Sequence, residues 1–129
     1  MAEANPVVLQ WVAKAEGDWV ALLMLCENSA TADAAVFHAQ QCLEKYLKAA
    51  LIAAGLTVRK THDLLQLSCQ LASVESGWRP DDGLLDVLNE GGVGFRYPGQ
   101  EATVDDAARA VQLTGDFRRE LRRLLLGDD

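Results

Sequence analysis

The stretch from Ala34 to Gly55, AAVFHAQQCLEKYLKAALIAAG, constrains this chain more than any other part of it. No proline and no internal glycine interrupts it, and alanine, leucine, glutamine, glutamate and lysine dominate, all residues that lose little on entering a helix. With Thr31 as the cap and Gly55 as the stop, a helix of about 22 residues spans roughly 33 Å, the diameter of a small domain. Val36, Gln40, Leu43, Leu47, Ala50, Leu51 and Ala54 recur at three- and four-residue steps and make one mostly apolar stripe. A second stripe, Ala35, Ala39, Cys42, Ala49 and Ala53 with Tyr46 as its exception, is built of small residues that admit a neighbouring helix closely. A helix with two apolar faces is a central one. The remaining strip holds His38, Gln41, Glu44, Lys45 and Lys48. Spacing alone reads that strip as a solvated face supported by the Glu44 to Lys48 pair, with an anion or nucleotide site on the lysines as the alternative.

The other elements follow from the same periodicity. From about Pro6 to Glu27, Val8, Val12, Ala15, Trp19, Leu22, Leu23 and Cys26 fall on one helical face, with Pro6 tolerated in the opening turn. The short polar link from Glu27 to Thr31 predicts an antiparallel αα-hairpin. Leu56 to Lys60 is too short and too basic for a buried strand. Thr61-His62-Asp63 then opens a third helix of about three turns, carrying Leu64, Leu67, Leu71 and Val74, with Thr61 or His62 as cap and Asp63 complementing the helix dipole. Ser76 to Pro80 ends that segment. A short fourth helix starts at Pro80-Asp81-Asp82, buries Leu84, Leu85, Val87 and Leu88, and stops at Asn89-Glu90-Gly91-Gly92. No regular element is predicted for GGVGFRYPGQ, from Gly91 to Gln100. The last helix begins at Thr103, where Thr103-Val104-Asp105-Asp106 resembles a capping box with Asp in place of Glu or Gln. Its apolar face runs through Val104, Ala107, Ala108, Val111, Phe117, Leu121, Leu124 and Leu125, and Arg118, Arg119, Arg122 and Arg123 crowd its final turns, where they complement the dipole. With no alternating strand pattern and no repeat, the fold class is all-α: an antiparallel four-helix up-and-down bundle with one additional short helix, forming a single domain over 1–129.

Charge and composition narrow the function. At 129 residues the chain can bury a core without disulfides or a metal, and its net charge of -7 disfavours broad electrostatic binding to nucleic acid or anionic membrane while leaving room for a local basic pocket. The opening MAEANPVV has no basic region before an apolar run, and no run approaches the roughly 18 residues of a membrane helix, so a soluble cytoplasmic protein is expected, without membrane contact. Cys26, Cys42 and Cys69 lack a close pair and sit within helical periodicity, as core residues do. His38 and His62 are far apart, with no carboxylate in a ligand pattern beside them, so no metal and no cofactor is expected. No Ser or Cys lies in a nucleophile elbow or beside a His, no Gly-rich loop precedes a Lys-Ser or Lys-Thr pair, and no catalytic residue is assigned. Arg96 and Tyr97 place a planar donor fork beside an aromatic face in a Gly-rich segment, a pairing able to hold a phosphate and a base. The plainer reading has Phe95 and Tyr97 plugging that loop onto the bundle.

Taken together, FHAQQCLEKYLKAALIAAG, KTHDLLQL, FRYPG and TVDDAARAV resemble the HEPN domain (higher eukaryotes and prokaryotes nucleotide-binding), over about Trp11 to Leu124. The resemblance implies a four- or five-helix bundle that is commonly dimeric. Many members are RNA-cleaving toxins that use an Arg followed four to six residues later by a His in a dimer-interface cleft. Here no His follows Arg96 anywhere, so ribonuclease activity and an RNA ligand are not favoured. Other members act with a small nucleotidyltransferase, encoded separately or fused, and are suspected of binding nucleotide or substrate for it. The resulting expectation is a homodimeric binding module with a nucleotidyltransferase partner, its nucleotide held by Lys45, Lys48, His62, Arg96 and Tyr97. A divergent, toxin-like ribonuclease and a structural helical adaptor are the alternatives.

Overall fold

A helix begins where the side chain of Asn5 accepts the amide hydrogen of Val7 at 2.8 Å and Pro6, which has no amide hydrogen to satisfy, takes the first position. This is α1 (Pro6–Leu25) in a computed structural model that describes residues 5–94 and 99–127. A single 3₁₀ turn over Ser29–Thr31 joins it to α2 (Ala32–Ala53). Thr31 precedes α2 as expected but does not cap it through its side chain. Its hydroxyl instead donates to the Leu25 carbonyl at 2.7 Å, tying the link to the end of α1. At the other end Gly55 stops the helix as predicted: at φ +81° its N–H reaches the Ile52 carbonyl and the N–H of Leu56 reaches that of Leu51, each at 2.9 Å, the two bonds of a Schellman closure.

The hairpin is antiparallel, because going up α1 means going down α2: Trp11 lies against Lys48, Glu16 against Tyr46, and Asp18 against Lys45 and His38. α2 packs on every other helix, and its two apolar stripes bury Ala35, Ala39, Cys42, Leu43, Tyr46, Leu47, Ala49 and Leu51. It is the central helix its pattern predicted.

Beyond Gly55 the chain runs without helix to Asp63, which caps α3 (Leu64–Ala72) by accepting from Leu65 N at 3.0 Å; neither Thr61 nor His62 is the cap. α3 is the shortest helix and leaves Val74 outside it and exposed. Its start lies at Gln40 and Glu44 of α2, and its end, with Leu71 and Glu75, lines a small cavity shared with Ala50, Ala53 and Ala54. α3 therefore runs in the same sense as α2, a refinement of strict up-and-down order brought about by the extended connection. Trp78, expected in a mere terminating segment, is buried: its indole N–H donates to Ser68 Oγ at 2.9 Å and its ring lies 6.2 Å from that of Phe117.

α4 (Asp82–Gly94) turns back along α3, and its Asn89 accepts from Leu64 N at 2.8 Å and donates to Asp63 at 3.1 Å. The expected stop at Gly91-Gly92 does not occur, and the helix continues through both. Glycine weakens a helix by about 1 kcal/mol but ends one only where its backbone turns left-handed. α5 (Val104–Leu126) opens with the predicted capping box: Thr103 Oγ1 accepts from Asp106 N at 3.0 Å and Asp106 Oδ2 accepts from Thr103 N at 2.8 Å. The Ala102 amide donates to Asp33 at the start of α2, while Arg122 near the other end reaches Tyr46, so α5 lies parallel to α2. Every regular element among the described residues is a helix, as expected.

Candidate functional site

The polar strip of α2 is not a plain solvated face. Glu44 is buried, and both of its oxygens are engaged: Oε2 accepts from Lys48 Nζ at 3.0 Å, and Oε1 accepts from His62 Nδ1 at 2.9 Å and Gln40 Nε2 at 3.3 Å. Gln40 also donates to the His62 carbonyl at 2.9 Å, so the loop before α3 is clamped to α2 by side chain and backbone together. An ionised carboxylate only accepts, which assigns the hydrogen to Nδ1 of His62. Apart from that contact the ring is in water, its side chain 81% exposed.

Lys48 connects this cluster to the next. Its ammonium lies 5.7 Å from the centroid of the Trp11 ring, on the side of α1 that faces α2. Trp11, Gln10, Lys14 and Lys45 line an open cavity of about 510 Å³. Lys45 is held from the other side by buried Asp18, whose Oδ2 accepts from Nζ at 2.6 Å while Oδ1 pairs with His38 Nδ1 at 2.8 Å. Lys14 is exposed and has no ion-pair partner among the described residues. Lys45 and Lys48 thus each meet a buried carboxylate while Lys14 meets none, which leaves a positive excess beside an aromatic ring on a chain whose net charge is -7.

Two residues before Asp18, Glu16 centres a third cluster that links α1 to α5. Arg118 grips Glu16 through two nitrogens, with Nε to Oε2 at 2.7 Å, and stacks 5.0 Å from the Trp19 centroid; Arg122 donates to the Tyr46 hydroxyl at 3.0 Å, and that hydroxyl donates to Glu16. The Arg118 guanidinium holds the Glu16 carboxyl below its ordinary value against the opposing effect of burial, and Glu16 raises Arg118 in return. Burial, aided by the Glu16 contact, pushes the Tyr46 phenol up to about 12, and burial does the same to the Cys42 thiol. Arg118 and Arg122 therefore do more than complement the helix dipole, as the sequence had read them: they lock α5 to α1 across Tyr46.

Of the residues expected to bind a ligand, Lys45 and Lys48 both lie beside Trp11, and His62 joins them through Glu44. Arg96 and Tyr97 lie outside the described residues. Trp11, Lys14 and Asp18 were missed. Trp11 and Lys14 stand three residues apart on α1, a spacing visible in the sequence, but only the pairing of α1 with α2 shows which lysines they meet. Among the described residues no group of three His, Cys, Asp or Glu side chains could hold a metal ion, and no helix is long and apolar enough to cross a membrane.

A helical domain built around one long helix, with an aromatic and lysine-lined cavity along its first hairpin, defines the class. The sequence matches the HEPN domain over residues 8–124, and the chain belongs to that family. No curated protein and no solved structure gives a match.

Proposed function

We propose that this chain is a single-domain HEPN module that works as a homodimer in the cytoplasm, binds a nucleotide, and acts with a small nucleotidyltransferase partner. The observation that carries the nucleotide reading is the cavity of about 510 Å³ that Trp11, Lys14 and Lys45 line together, with the Lys48 ammonium 5.7 Å from the Trp11 ring. The volume suits a ligand of nucleotide size. In this reading the base stacks on Trp11, and Lys14, whose charge is unspent, takes the phosphates with Lys45. Base stacking on an aromatic side chain is worth about 1–3 kcal/mol. Calorimetric titration of the dimer with ATP and GTP is expected to give saturable heat, and Trp11→Ala or Lys14→Glu is expected to weaken binding by about tenfold or more. Absence of heat from the dimer, both alone and with a co-purified transferase, removes the nucleotide claim.

A second reading has one specific observation in its favour. A buried carboxylate that orients an exposed imidazole is an arrangement suited to proton transfer, so Glu44 and His62 could serve a divergent ribonuclease. The missing His after Arg96 and the acidic net charge weigh against it. Incubation with transfer RNA and messenger RNA decides the point: cleavage by the wild type that His62→Ala abolishes would replace the binding-module reading.

A further inference from the structure

We propose that the dimer forms through α1, by antiparallel packing of its outer face on the same face of a second copy. The inference rests on the homodimer reading and names its surface. Leu9, Ala13, Gly17, Val20 and Met24 follow one another at steps of four, four, three and four, and every one of them is exposed. Leu23 flanks them. Met24 is 79% exposed, Val20 52% and Leu9 45%, a run of apolar surface that solvated helices do not maintain without use. The stripe carries no charge, which matters for a chain of net charge -7, because two copies can meet there without opposing like charges.

The spacing is also self-complementary. A twofold axis between positions 16 and 17 sets Leu9 of one copy against Met24 of the other and Ala13 against Val20, so each small or medium residue meets a larger one. Gly17 sits beside that axis, and a Cβ built on it meets nothing within 4 Å, so the backbone there is bare and open to close approach. Glu16, the nearest charge, is turned to Arg118 and so is already paired. The six residues expose on the order of 500 Å² per copy, so a pair buries about 1,000 Å², the area at which specific association becomes sustainable.

Light scattering or sedimentation equilibrium at micromolar concentration tests the face. The wild type is expected to be a dimer. Gly17→Arg, whose bulk has room within its own copy but not at the close approach beside the axis, is expected to weaken dimerisation by about a hundredfold or more while keeping helical content. A wild-type monomer overturns the dimer reading itself, whereas a dimer that Gly17→Arg leaves intact overturns only this surface. Register is read separately by oxidising an Ala13→Cys, Val20→Cys double variant with copper phenanthroline, using the wild type as control for native Cys69. Rapid cross-linking to twice the mass supports the pairing. Linking no faster than in Val20→Cys alone, whose two thiols would stand about 10 Å apart along the axis, rejects it.

Discussion

Tyr46 shows how one side chain can tie three helices together. It sits on α2 with no exposed surface, donates to Glu16 of α1 and accepts from Arg122 of α5. Its phenol, pushed up to about 12 in the folded protein, ionises near 10 once unfolded. An acid whose value is raised by folding adds stability that is complete below the unfolded value and is lost as the pH climbs from about 10 to about 12. Denaturation between those limits should show a loss on the order of 2 kcal/mol that Tyr46→Phe lacks, although that variant starts about 1 kcal/mol less stable at neutral pH. Glu16 has the opposite sign. Its lowered value contributes above its ordinary 4.5, and this contribution disappears as the pH falls through the folded value. At this scale the sequence was hardest to read. Glu44, Lys48 and Gln40 have the residue types of a solvated strip or a stray polar position, and nothing local distinguishes a glutamate in water from one buried among His62, Lys48 and Gln40. The cover comes from Trp11 and His62, on other segments of the chain.

Elements were more legible, because their signals are local. The Thr103 and Asp106 box needs only four consecutive residues, and the closure at Gly55 needs only a residue free to adopt φ +81°. Gly55→Ala should cost about 1–2 kcal/mol for that left-handed backbone, and Thr103→Ala about 1 kcal/mol for the lost cap, both measured as midpoint shifts in urea at unchanged slope. The end of α4 was misread for a related reason. Composition says that glycine is present at Gly91 and Gly92, whereas a stop depends on the sign of φ, which composition does not carry. Trp78 was likewise overlooked because a tryptophan between Gly77 and Arg79 has no periodic neighbours to mark it as core.

For the whole molecule, the two apolar stripes of α2 were enough to predict a central helix on an all-α fold. What they could not convey was the direction of α3, set by a connection with no periodic pattern, or the reach of Arg118 across to Glu16. That same connection has a further consequence. Between Gly55 and Asp63 the backbone is non-helical, and Arg59 and Lys60 stand exposed within it, while α3 is held to α2 by packing and by the contacts of His62 with Gln40 and Glu44. Brief exposure to trypsin should cut there first, and the two pieces should still elute together from a sizing column and part only in denaturant. Encoded as two separate polypeptides, one ending near Lys60 and the other beginning near Thr61, the protein should reassemble on mixing, a two-part reporter already divided at its natural seam.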